Sequence, residues 1–362
     1  MTASSPAAPV HYPMTARRRC LLARHQASGC RACAEACLSG ALSVQEKRLV
    51  FDPARCCGCG ACMAACPADA LIDPLLPHED LLQQIEEASS AGRLVVVEDG
   101  VELPHDSAAD EKQIVTIPTM RRLGLVEFLF AALSGAKTIE IFERRAAPPH
   151  ANPAGDAAAR AQAIAAGLGR AFELRRSVPE EETAPAAPVV MDRAAVSPEI
   201  AATAQRAARS LEAEAAHRMA PRQETLRRLL RRFAADADAS ADSKETAGLR
   251  ALLPQPVVNP AKCVRCGVCE AVCPTTALKI DRPRGGFVLS ITPAQCSGCR
   301  LCADVCFMNA LALQPAATLR DALTEAPRTL LRQGDGAAAA DGSMDEWETK
   351  LSGFFDAPVY RT

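Results

Sequence analysis

The residues with the clearest chemical use lie in the run Cys56-Cys57-Gly58-Cys59-Gly60-Ala61-Cys62-Met63-Ala64-Ala65-Cys66-Pro67. Reduced to its thiols it reads Cys-x2-Cys-x2-Cys-x3-Cys-Pro. Three cysteines at steps of three, on a loop of small residues, can present three thiolates to three irons of one cubane. The fourth, held off by the proline, is aimed at a different cluster. The same spacing returns at Cys263, Cys266, Cys269 and Cys273 before Pro274, and at Cys296, Cys299, Cys302 and Cys306, where Phe307 stands in place of proline. Near the start, Cys30, Cys33 and Cys37 fill the last three positions, with Ala27 at the first and Leu38 after the last.

Other uses of these thiols fit less well. Structural zinc takes two Cys-x2-Cys pairs separated by a longer loop, whereas steps of two, two and three crowd too many sulfurs for one tetrahedral site. Disulfides belong to oxidising compartments, and nothing in the sequence reads as a secretion signal. Sixteen of the 17 cysteines would satisfy four cubanes, leaving one over. Cys57 by itself reads as a buried free thiol.

Paired near each end of the chain, the motifs resemble the bacterial ferredoxin with two [4Fe-4S] clusters, present twice in one polypeptide, a polyferredoxin. The resemblance covers roughly the first 75 residues and the stretch from Val257 to Gln314. The crossed ligation of that family implies one cubane on Cys56, Cys59, Cys62 and Cys37. It implies a second on Cys263, Cys266, Cys269 and Cys306, and a third on Cys296, Cys299, Cys302 and Cys273. A fourth would have Cys30, Cys33 and Cys66 and lack a ligand. Cys20 is the candidate to complete it, Cys57 the rival, and a [3Fe-4S] cluster on three cysteines, or no cluster, the remaining alternative.

These thiols must be positioned by short elements. Ala41–Val44 and Arg48–Phe51 flank a turn at residues 45–47, and Leu278–Ile280 and Phe287–Leu289 flank one carrying Gly285 and Gly286, so each half is expected to hold a hairpin. Gly58, Gly60, Gly267 and Gly298 let backbone N–H groups approach the sulfurs. Halves this small bury little core, so bound metal must supply much of their cohesion.

Between them the pattern changes. Leu81, Leu82, Ile85 and Ala88 recur at helical spacing, Leu94–Val97, Ile114–Ile117 and Thr138–Phe142 read as strands, Thr119 caps a helix to Leu133, and a helix is expected from Ala157 to Phe172. Strands alternating with helices make a small parallel α/β unit. It is vaguely similar to the delta subunit of methyl-viologen-reducing hydrogenase, without its cysteines: none occurs between Pro67 and Lys262. A spacer or docking role follows from that resemblance.

The remainder is connective. Residues 178–198 form a proline-rich linker, helices open at Ser197 and Pro221, and residues 236–247 are a loop. In the second helix Leu226, Leu229, Leu230 and Phe233 share one face, and Arg227, Arg228, Arg231 and Arg232 fall on another, read as solvated. Thr318–Arg332 reads as a helix, followed by a flexible spacer and a tail with Trp347, Leu351 and Phe354 at helical steps. The expected fold class is α+β, two dicluster domains (17–74 and 251–316) flanking the α/β unit (75–177) and the linker with helices (178–250), with a disordered N-terminus (1–16) and a helix with a flexible tail (317–362).

The chain of 362 residues balances 41 Lys and Arg against 43 Asp and Glu, so its net field favours no partner and gives no support to nucleic acid. No stretch approaches the ~18 apolar residues of a membrane span, and a cytoplasmic location is expected. There is no Gly-x-Gly-x-x-Gly after a strand, no phosphate loop and no His cluster. The expectation is an electron carrier rather than an enzyme. The resemblance implies a redox partner protein, such as a molybdenum-dependent formate dehydrogenase. The alternative is an accessory or maturation factor for such an enzyme, and a weaker third reading is a sensor acting through the basic helix.

Overall fold

The computed structural model of the chain describes residues 13–25, 27–104, 109–143, 154–177, 220–236, 247–283 and 286–332. The expected helix at Ser197 and the tail with Trp347 lie outside the described residues. Two compact units emerge. The first takes the chain up to Ala16, Arg31–Gln45 and Leu49–Ala213, and the second takes Arg17–Cys30, Glu46–Arg48 and Glu214 onward.

In the first unit, strand β1 (Met14–Thr15) pairs antiparallel with β4 (Leu71–Ile72), and β2 (Leu42–Gln45) pairs with β3 (Arg48–Phe51). Glu46 and Lys47 both take positive φ, 46° and 60°, the geometry of a two-residue turn matched to strand twist. Short helices Ala32–Glu35 and Ala61–Ala65 pack together, and Cys33, Leu42, Cys62, Met63 and Leu71 form the core beneath them. Residues 1–16 were expected to be disordered; Met14 and Thr15 instead form a strand, and Ala16 is fully buried with its N–H on the Ala70 carbonyl at 2.8 Å.

The rest of this unit is a four-stranded parallel sheet ordered β6 (Ile114–Ile117), β5 (Arg93–Glu98), β7 (Thr138–Phe142), β8 (Glu173–Ser177). Helices His78–Ser89, Leu125–Leu133 and Ala154–Gly167 connect it. Leu94 to Val97 are buried in a row, as a strand covered on both faces must be. Edge strand β8 was not read in the sequence, because Glu173-Leu174-Arg175-Arg176-Ser177 carries the charges that blunt an edge. The expected single helix from Thr119 to Leu133 is two elements. Thr119 caps a short 3-10 turn, Met120–Arg122, and the helix restarts at Leu125, where the Glu127 carboxylate accepts the Gly124 N–H at 2.7 Å.

In the second unit β9 (Pro254–Val258) pairs with β12 (Leu311–Pro315), and β10 (Leu278–Asp281), β11 (Val288–Ile291) and β13 (Arg328–Arg332) form an antiparallel sheet. Residues 318–332 are therefore not one helix. They are a single turn and a half, Leu319–Leu323, capped by Thr318, and then a strand whose Leu331 is buried in the core with Leu278, Phe287, Leu289 and Ile291. Helices Pro221–Asp236, Ala247–Leu252, Val268–Ala271 and Leu301–Asp304 and the turn Leu21–Arg24 belong to this unit.

Candidate iron–sulfur centres

In each of the three full motifs the backbone winds the same way. Gly58 and Gly60, Arg265 and Gly267, and Gly298 and Arg300 all take left-handed φ, between 64° and 87°. That alternation turns backbone N–H groups toward the sulfurs. Cys56 accepts from the Gly58 N–H, Cys263 from Arg265 and Cys296 from Gly298, while Ala61 and Leu301 serve Cys59 and Cys299. The fourth cysteines are served from further along: Ala70 N donates to Cys66 Sγ at 3.2 Å, Ala310 N to Cys306 Sγ at 3.3 Å, and Leu42 N to Cys37 Sγ at 3.4 Å. Glycine adopts this conformation freely, but Arg265 and Arg300 do so against a steric cost of about 1–2 kcal/mol each.

Two cavities result. One is lined by Cys263, Cys266 and Cys269 with Cys306 from the other motif, walled by Ile280, Phe287, Leu289, Met308 and Leu311. The other is lined by Cys56, Cys59 and Cys62 with Cys37 from the preceding motif, walled by Leu42 and Phe51. A third group, Cys296, Cys299 and Cys302 with Cys273, is close enough for mutual electrostatic effects.

Burial pushes the Cys62 and Cys269 thiols up to about 12 and Cys296 up to about 11, with neighbouring thiols adding to the shift in each case. Cys302 is raised further by the same causes, and Cys59 chiefly by its hydrogen bond with the Cys57 thiol. Metal-free, these groups are therefore neutral at physiological pH. Gathering them as thiolates demands a polycation in their midst. Among the described residues no three His, Cys, Asp or Glu converge on one ion position. Four thiols spread around an apolar cavity and served by N–H donors fit a polynuclear iron–sulfur group better than a single tetrahedral ion.

The incomplete first motif differs. Arg31 has φ −134°, and neither it nor Gly29 is left-handed. Gly29 N donates to Asp304 Oδ2 at 3.1 Å within the second unit. Cys20 and Cys30 are counted in that unit, whereas Cys33 and Cys66 are buried in the first. Cys57, expected to be buried, is exposed.

Residues outside the motifs touch the cluster loops. Thr119 Oγ1 donates to the Cys59 carbonyl at 2.9 Å, and the Arg122 side chain packs against Gly60. In the second unit Arg227, read in the sequence as part of a solvated face, is 2% exposed. It donates to the carbonyls of Ala322 (2.8 Å) and Cys296. The signal was present in the helical periodicity: at 100° per residue Arg227 stands only about 60° round from Leu230, and Arg222, also buried, falls within the apolar stripe.

This wiring of thiols, amides and apolar walls is that of iron–sulfur sites of the dicluster kind. Residues 28–70 and 262–310 both match the 4Fe-4S dicluster domain family, so the chain carries two such domains. No curated protein and no solved structure matches the chain. Among the described residues no helix is long and apolar enough to cross a membrane.

Proposed function

We propose that the chain is a polyferredoxin-type electron carrier, serving a redox partner protein without substrate chemistry of its own. The observation that supports it most is the crossed lining of the cavities, three cysteines from one motif and the fourth from the other. Cys56, Cys59, Cys62 and Cys37 would hold one [4Fe-4S] cluster, Cys263, Cys266, Cys269 and Cys306 a second, and Cys296, Cys299, Cys302 and Cys273 a third. Bound there, such a group takes up and releases one electron at a time. The chain's amide donors would hydrogen-bond the metal-bound thiolates, and Phe287, Leu289, Ile280 and Phe51 exclude water. Cys302 feels the charge of Cys269, so the second half, with two complete sites, offers a short internal route.

The Cys30, Cys33 and Cys66 set lacks the left-handed winding of its counterparts, and we assign it no complete cluster. Iron and sulfide analysis with low-temperature electron paramagnetic resonance, on protein purified without oxygen and reduced with dithionite, tests this. About twelve irons, four for each complete site, is the expected result. About sixteen would show that Cys20 or Cys57 completes the fourth site, and iron-free protein that stays folded would end the reading.

A further inference from the structure

The helix Pro221–Asp236 sends a charged side chain to the third of these sites. The Arg227 guanidinium ends among carbonyls, Nη1 on Ala322 O at 2.8 Å and Pro293 O at 3.4 Å, Nη2 on Cys296 O. Carbonyls take up its two Nη groups but do not neutralise its charge, and its Nε is buried without a hydrogen-bond partner. Among the described residues no carboxylate is within ion-pair distance of Arg227; Glu325 pairs instead with Arg231 at 3.1 Å. A buried, unpaired cation is an expensive arrangement unless something anionic faces it. Its Nη2 bonds the Cys296 carbonyl, and the sulfur of the same residue is close enough for charge attraction. A second arginine, the half-buried Arg24 of the turn Leu21–Arg24, acts on Cys299 and Cys273. Three of the four thiols of this site thus have an arginine supplied from outside the motif. The partner site has Arg265 of its own loop, the weakest influence on Cys263, and Arg282 beside Gly267, which is exposed where Arg227 is buried.

We propose that Arg227, supported by Arg24, is a fixed counter-cation that raises the reduction potential of the cluster at Cys296, Cys299, Cys302 and Cys273 above that of its neighbour. An electron entering this half therefore comes to rest there. The inference depends on the cluster assignment above. Reduction adds one negative charge to a buried, already anionic group, and a positive charge held nearby in a medium of low polarity favours that reduced state.

The test is a redox titration followed by electron paramagnetic resonance on the full-length chain with clusters in place, with a Cys299→Ser variant identifying which midpoint belongs to this site. Arg227→Gln keeps a donor for the carbonyls and removes the charge. At a fixed ambient potential its reduced-to-oxidised ratio should drop about tenfold, equivalent to about 59 mV for one electron. Arg227→Lys should stay close to wild type, and Arg24→Gln should lower the same midpoint by a smaller amount. Unchanged midpoints in Arg227→Gln at full iron content would overturn the proposal, as would an equal shift in Arg227→Lys, which would make Arg227 a structural clamp only. Should Arg227→Gln lose iron, Arg24→Gln decides, and an unmoved midpoint there overturns it. A wild-type chain with no reducible cluster refutes the assignment itself, a result distinct from all of these.

Discussion

Each full motif depends on two residues in left-handed conformation, and at Gly60 and Gly298 an added methyl would also press on a neighbouring side chain. A Cβ on Gly60, at φ 71°, would stand 2.9 Å from Arg122 Cδ. Gly60→Ala should therefore cost at least about 1–2 kcal/mol from backbone strain alone and lower iron content at the Cys56 site, read by metal analysis and thermal melting. Gly298→Ala meets Pro254 Cγ at 2.7 Å and should do the same in the second unit. The thiols add a pH dependence of definite sign. Burial raises Cys62 and Cys269 to about 12, so loading with iron must displace their protons. Reconstitution yield, followed by visible absorbance, should rise from pH 6 to pH 8.5 and fall when the order is reversed. A yield indifferent to pH would mean that these thiols are not ligands.

The small halves are completed by strands that lie outside the motifs. Strand β13 closes the sheet of the second unit, and its Leu331 is 2% exposed in the core shared with Phe287 and Leu289. Leu331→Ala should destabilise that unit by about 2–4 kcal/mol, measured by denaturant unfolding of the loaded protein. A chain ending before Arg328 should lose its second-unit clusters faster in air. The matching strand pair of the first unit, β1 with β4, is only two residues long.

The molecule as a whole divides its stability between two sources. The parallel sheet has its own dry core, with Val95 and Ile139 fully buried, and no thiol contributes to it. The dicluster halves have short strands and few apolar residues, and metal supplies the balance. Removal of iron by a chelator should abolish amide-exchange protection in residues 42–51 and 278–291 while Arg93–Glu98 stays protected. Loss of both together would show that the Thr119 and Arg122 contacts bind sheet and cluster loop into one cooperative block.

The motif cysteines, the hairpins and the central strands were legible in the sequence because each is governed by residues a few positions apart: thiols at fixed steps, a two-residue turn, a run such as Leu94-Val95-Val96-Val97. The break at Gly124, the strand character of Arg328–Arg332 and the burial of Arg227 were not, since each depends on a surface contributed from elsewhere. Arg328-Thr329-Leu330-Leu331-Arg332 is a helix or a strand by local preference, and the open edge of β11 decides between them. Spacing alone named the thiols. Only the folded chain, by bringing Ala322, Pro293 and Cys296 around one guanidinium, placed an uncompensated charge beside one of them, because the cost of burying a charge is settled by what surrounds it in space.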